Sequence, residues 1–312
     1  MAYRTPRQSE GFQAVTIRFG VAGWDYRDWW GRVYPSPRPR GFDALAYVSR
    51  YFDTIEINST FYRPPAASAA AAWAERVRHN ARFRFTAKLW QRFTHERSSA
   101  WSATDVAAVR DGLAPLLDAD RLGCVLAQFP WSFKRTAESM EWLEDLIAAF
   151  PGFPMAVEVR HSSWNDSAFY DALREHGVGV VNIDQPRFKH SVAPGAKVTS
   201  TVGYVRLHGR NYGNWFRDDA ESHERYDYLY TDVELREWLA RIHDVATRAR
   251  ETYVITNNHY LGQAAANAAM LRALNGDTDV TAPPPLVAAF RSVLEPLGVR
   301  ADKAPGSLDL GC

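Results

Sequence analysis

The sequence predicts a single (β/α)8 barrel. Eight short apolar segments alternate with stretches of helical periodicity, at a repeat of roughly 30 to 35 residues. Polar residues recur near the end of almost every such segment, as at the carboxyl-terminal mouth of a barrel. A doubly wound open sheet would collect them at one switch point, and the GxGxxG that marks its first turn is missing after the first strand.

The first strand is read in IRFGVAGW, from Ile17 into a glycine-bearing turn. Asp43 is placed to cap a short helix through Tyr51. TIEIN, from Thr54, is the second strand, and Pro64 and Pro65 start an Ala-rich helix running to about His79. FRFTAKL, from Phe83, is the third strand; a helix covers about 103–117, and CVLAQFP is the fourth strand, closed by Pro130. Residues 137–150 place Trp142, Leu143, Leu146 and Ile147 on one helical stripe. MAVEVRH is the fifth strand, and Asn165 is expected to cap the helix that ends near His176 and Gly177. VGVVNID and YVRLHG are the sixth and seventh strands. A loop from Arg210 to Tyr230 precedes a helix at 232–249; TYVITNN is the eighth strand, and an Ala-rich helix follows Gly262. After the PPP at 283–285, a last helix is expected at 286–297.

The expected organisation is thus a tail at 1–14, a barrel domain at 15–298 and a mobile tail at 299–312. With 46% hydrophobic residues the chain can bury a sizeable core, and a net charge of +1 gives no global attraction to nucleic acid or anionic lipid. No apolar run is long enough to span a bilayer and the first residues hold no apolar signal segment, so the cytoplasm is the expected location, without a membrane partner. Two cysteines, Cys124 in an apolar strand and Cys312 at the end, make neither a disulfide framework nor a CxxC metal site.

Taken two residues at a time, six strands place polar groups on one face: Glu56 and Asn58, Thr86 and Lys88, Gln128 after Leu126, Glu158 and Arg160, Asn182 and Asp184, Arg206 and His208. A buried carboxylate needs a partner, so these faces are expected to converge on the barrel mouth, with Lys88 neutralising Glu56. They could be ion pairs that only satisfy one another. As a site, Lys88, Arg160 and Arg206 would hold an anion, Glu56, Glu158 or Asp184 would act as general base or acid, and His208 would carry a proton. His161 and His208 with these carboxylates could bind a divalent metal, but HExxH and HxH are missing. Asn257 and Asn258 close the eighth strand as ligand-orienting amides or helix caps. The 210–230 loop, with Tyr212, Trp215, Phe216, Tyr226 and three arginines, could be a lid that stacks on bases or sugars, or a loop pinned by its own packing. No P-loop or GxSxG supports nucleotide hydrolysis or esterase chemistry.

GVAGWDYRDWWGRVYP, YFDTIEINSTFYRPP, FRFTAKLWQRFTH, VLAQFPWSF, AVEVRHSSW, YVRLHGRNYGNW and ITNNHYLGQAAANA occur in this order between about residues 17 and 272. With them the chain resembles the DUF72, or YecE-like, family. That resemblance implies a TIM barrel and no established reaction; it also implies likeness to divalent-metal barrel enzymes such as apurinic endonucleases, whose ligand pattern is not visible in this chain. Trp131 in FPWSF stands where the family commonly has proline. The sequence-level expectation is an acid/base enzyme, a hydrolase, lyase or isomerase, acting on a small anionic or polyhydroxylated ligand such as a sugar phosphate or nucleotide fragment. The alternatives are a nucleic-acid-binding protein with metal-dependent endonuclease-like activity, and a non-catalytic interaction scaffold.

Overall fold

The computed structural model describes residues 16–213 and 224–302. Eight parallel strands close in chain order into a barrel: β1 (Thr16–Ala22), β2 (Thr54–Ile57), β3 (Arg84–Lys88), β4 (Leu122–Gln128), β5 (Met155–Glu158), β6 (Gly179–Asp184), β7 (Val202–Leu207) and β8 (Glu251–Thr256), with β8 pairing back to β1. Around it lie α1 (Ala44–Val48), α2 (Ala67–Arg76), α3 (Gln91–Thr94), α4 (Ala103–Asp118), α5 (Ala137–Ala149), α6 (Ser167–Glu175), α7 (Asp232–Ala246) and α8 (Gln263–Leu274). All eight strands fall where the alternation places them.

Local chemistry sets the helix starts. The Asp43 carboxylate accepts from Ala46 N, and Ser102, Thr136 and Thr231 open capping boxes with Asp105, Ser139 and Glu234. Residues Ala264 to Ala269 of α8 are all buried, and these small side chains seat the helix against β1 and α7. Two apolar layers result. Phe19, Val21, Ile55, Ile57, Phe85, Val205 and Val254 face the helices, whereas Ala22, Cys124, Leu126, Ala156, Val181, Ile183, Tyr204, Tyr253 and Ile255 fill the barrel interior.

Several boundaries differ from the sequence reading. Helix α2 starts at Ala67 rather than at the Pro64–Pro65 pair, and α6 is capped by the Asp166 side chain, which accepts from Ala168 N, rather than by Asn165. Residues 185–201 cross from β6 to β7 without a helix. The last helix is broken into α9 (Pro284–Ala289), α10 (Arg291–Leu294) and a 3-10 turn (Glu295–Leu297), because Phe290 leaves helical geometry and Pro296 has no amide hydrogen. Residues 300–302, expected in the mobile tail, are held in place: β10 (Arg300–Ala301) pairs in parallel with β9 (Thr281–Ala282), and Asp302 accepts from Arg50 and Tyr51. The expected tail at 1–14, residue 15 and residues 303–312 lie outside the described residues. Among the described residues no helix is long and apolar enough to cross a membrane.

The largest correction concerns β6. Val181 and Ile183 point into the barrel, so Asn182 and Asp184 point out, and the polar column has five contributing strands instead of six. Asn182 binds the backbone at both Lys197 N and Lys197 O, and Asp184 accepts from Arg210 Nε at 2.8 Å. Both residues therefore serve the outer layer.

Candidate active site

The upper barrel is filled by one buried ionic network. Arg206 on β7, fully inaccessible, reaches across the barrel to Glu56 Oε1 on β2 at 2.7 Å, to Gln128 Oε1 on β4 at 3.2 Å and to Glu158 Oε2 at the end of β5. Tyr204, two residues before Arg206 on the same face, donates to the second oxygen of Glu56 at 2.8 Å and shares a hydrogen bond with Thr86. Arg160 places Nε and Nη2 each 2.9 Å from Glu158 Oε1, and His208 Nε2 lies 3.4 Å from that oxygen. Five of the residues assigned to the mouth thus meet directly: Glu56, Gln128, Glu158, Arg160 and Arg206, with His208 beside them.

Glu56 is neutralised by Arg206 and not by Lys88, which makes no ion pair within the described residues. Adjacency on β2 and β3 suggested the Lys88 pairing; a planar, five-donor guanidinium arriving from the opposite wall satisfies two carboxylates at once and displaces it. Burial pushes Glu158 up, but Arg206, Arg160 and His208 outweigh burial and hold its carboxyl well below the usual range. Burial lowers His208 to about 3, so the imidazole is neutral. Because Asn257 Nδ2 donates to His208 Nδ1 at 3.0 Å, the ring proton sits on Nε2, facing Glu158.

This arrangement sets a pH dependence. A histidine kept neutral in the fold but free to protonate near pH 6.5 when unfolded makes the unfolded chain bind the extra proton between about pH 3 and 6.5. Stability should therefore decline as the pH falls below about 6.5, by up to roughly 1.4 kcal/mol per pH unit for this one group. Protonation of Glu158, whose folded value is depressed, removes further stability at still lower pH. His208→Gln should flatten the slope between pH 4 and 6.5 in urea titrations; an unchanged slope would contradict a neutral His208.

Above the network lies a cleft of about 600 Å³, where Lys88, Asn58 and Asn257 meet the aromatic side chains Tyr26, Phe61 and Tyr226. Tyr26 stacks on His259 at 4.5 Å between ring centroids, its hydroxyl donates to Ala22 O at 2.6 Å, and it accepts from Asn58 Nδ2 at 3.3 Å. The first and eighth loops are fastened together beneath these rings. Asp28 accepts from Leu261 N at 2.5 Å, and Trp29 Nε1 donates to His259 O at 2.8 Å. Leu261 takes φ +51°, a left-handed conformation that costs a branched side chain roughly 1–2 kcal/mol, and Gly262 follows at φ +83° with Val33 against its Cα.

Lys88 closes β3. Its carbonyl accepts from the Thr60 hydroxyl at 2.7 Å, and its ammonium lies 5.6 Å from the Phe61 ring centre. Burial, helped by Arg206, lowers this amine to about 8. Among the described residues its ammonium has no hydrogen bond and no ion pair. The other candidates are placed elsewhere. Asn258 turns outward and donates to Tyr228 O and Asn267 Oδ1, while Tyr212 is 52% exposed, with its ring 5.9 Å from Phe188. His161 stacks on His190 at 5.6 Å instead of joining Glu158 and His208, and Asp184 turns outward to Arg210. Among the described residues no three His, Cys, Asp or Glu side chains come together to hold a metal ion. Trp215 and the 214–223 part of the loop lie outside the described residues.

Tyr26, Phe61 and His259 were not singled out from the sequence as site residues. The aromatic-charged run WDYRDWW directly after β1 was the available signal, since loops that follow barrel strands surround the mouth.

The family description "Protein of unknown function DUF72" matches residues 18–288. The chain belongs to the DUF72 family. It is 27% identical over 266 residues to the UPF0759 protein YunF of Bacillus subtilis (strain 168), covering 80% of this chain and 92% of that one. Among solved structures it is similar to a DUF72 family protein of Thermotoga maritima MSB8, with 33% identity, TM-score 0.73, and coverage of 84% of this chain and all of the other. A DUF72 family protein of Enterococcus faecalis V583 superimposes with TM-score 0.73 at 26% identity, over 84% of this chain and 96% of its own. The DUF72 match spans every barrel strand but the first two residues of β1.

Proposed function

We propose that this DUF72 barrel is an enzyme whose cleft binds a small anionic, polyhydroxylated molecule such as a sugar phosphate. The supporting observation is Lys88. Below it, Glu56 and Glu158 are balanced by Arg206 and Arg160, with His208 neutral, so the buried cluster leaves the Lys88 charge uncompensated. A cation in an aromatic cleft, with no hydrogen bond or ion pair among the described residues, favours an anion, and flanking rings favour the flat faces of a sugar or base.

In this reading Glu56 and Arg206 are positioning residues, since they are inaccessible and bonded within the network, to each other and to Tyr204, Gln128 and Glu158. Lys88 contacts ligand; Asn58 and Asn257 orient it; and a lysine lowered to about 8 carries or accepts a proton near neutral pH. Ribose 5-phosphate is expected to raise the Tm of the wild-type protein. Lys88→Ala should weaken its binding by about 1.5–3 kcal/mol, or roughly 10- to 150-fold in Kd. Equal Kd values for the two proteins would refute the site. A salt-dependent gel shift with single-stranded DNA, without a response to ribose 5-phosphate, would favour a nucleic-acid ligand instead.

A further inference from the structure

Lysine is scarce in this protein: only five of its 37 basic residues are lysine, the others arginine. Lys134, Lys189 and Lys197 are exposed, and Lys303 lies outside the described residues. Lys88 is the one lysine among the described residues that is not exposed; it lines the cleft, and the guanidinium groups of Arg160 and Arg206 act on it from across the barrel mouth. If charge alone were needed there, arginine would hold an anion at least as well, with two-pronged geometry and no tendency to lose its proton. What lysine offers and arginine does not is a primary amine with an available lone pair.

The position suits that chemistry. The Thr60 hydroxyl, whose single proton lies between the carbonyls of Lys88 at 2.7 Å and Ile57 at 2.9 Å, fixes the backbone from which the side chain projects. No carboxylate holds the ammonium in its charged form by direct contact, because Arg206 occupies Glu56 and Glu158. Two guanidinium groups in the same mouth oppose a third positive charge, and burial acts in the same direction.

We propose that Lys88 is a covalent catalyst, whose Nζ condenses with the carbonyl group of a small aldehyde or ketone bearing an anionic substituent to form an imine. The idea rests on the anion-binding reading of the cleft and adds a bond to it. The neutral amine donates its lone pair to the carbonyl carbon, and the carbonyl electrons move to oxygen, which takes up a proton. The resulting carbinolamine loses its hydroxyl as water while nitrogen gives up its protons, so amine and carbonyl yield imine and one water, with no oxidant or reductant. Once protonated, the imine withdraws electrons from the adjacent carbon and eases loss of a proton or cleavage of a carbon–carbon bond there.

The test is reductive trapping on the full chain. Wild type is incubated with glyoxylate or with dihydroxyacetone phosphate, each with sodium cyanoborohydride, and the modified lysines are located by peptide mass spectrometry. The expected result is modification of Lys88 faster than of Lys134, Lys189 or Lys197 by roughly tenfold or more. Lys88→Arg, which keeps the charge, should bind ribose 5-phosphate but give no adduct at this position. Labelling of Lys88 no faster than of the exposed lysines would overturn the imine. If ribose 5-phosphate still binds in a Lys88-dependent way, the covalent step alone has failed; if binding is lost as well, both readings fall.

Discussion

Arg206→Met is expected to destabilise the protein by about 3–5 kcal/mol, measured as ΔG of unfolding in urea. The guanidinium is fully buried and serves two carboxylates that are themselves inaccessible. Methionine fills much of the same volume, so the loss is electrostatic and not a cavity effect. It leaves Glu56 with only the Tyr204 hydroxyl, and Glu158 with Arg160 and the weak donor His208. Adding Glu56→Gln to Arg206→Met should recover a good part of the loss, because the double variant leaves Glu158 balanced by Arg160. An Arg206→Met variant within 1 kcal/mol of wild type would mean that water reaches these carboxylates.

A comparable loss, about 4 kcal/mol or more, is expected for Gly20→Ala. Gly20 lies in β1 opposite Thr54 of β2, and a Cβ there would sit 1.8 Å from the Thr54 carbonyl oxygen. That oxygen belongs to the backbone of the next strand, so no rotamer change relieves the overlap, and β1 and β2 would have to separate. Gly195→Ala is the matched control: nothing approaches its Cβ closer than 3.7 Å, and its Tm should be nearly unchanged. Equal melting temperatures for the two variants would show that the barrel wall yields at β1 more easily than its pairing implies.

How far the site could be read in advance depended on the strand. In YVRLHG the alternation is unambiguous, and Arg206 and His208 lie on the inner face as the pattern requires. In VGVVNID the alternation puts Asn182 and Asp184 on one face, but both faces carry residues that suit a buried strand, so the alternation alone does not decide which face turns inward. Asp184 instead finds Arg210, and Asn182 finds the Lys197 backbone, both in chain that follows the strand. Nothing local to β6 distinguishes these outcomes. Likewise the sequence supplies the charges of the network but not their pairing, because Arg206 reaches Glu56 from the far side of the barrel rather than from an adjacent strand. The aromatic cleft was harder still, since its walls come from the beginning and the end of the chain and meet only when β8 pairs with β1.

That closure has a consequence for how the protein tolerates change. Asp28 holds the amide of Leu261 and Trp29 holds the carbonyl of His259, so segments more than two hundred positions apart share one conformation. Substitutions in the two loops are coupled. A residue acceptable after β1 depends on what stands after β8, and a redesign of the cleft that varies one loop alone will sample mainly failures, whereas varying both together explores the combinations that keep the clasp.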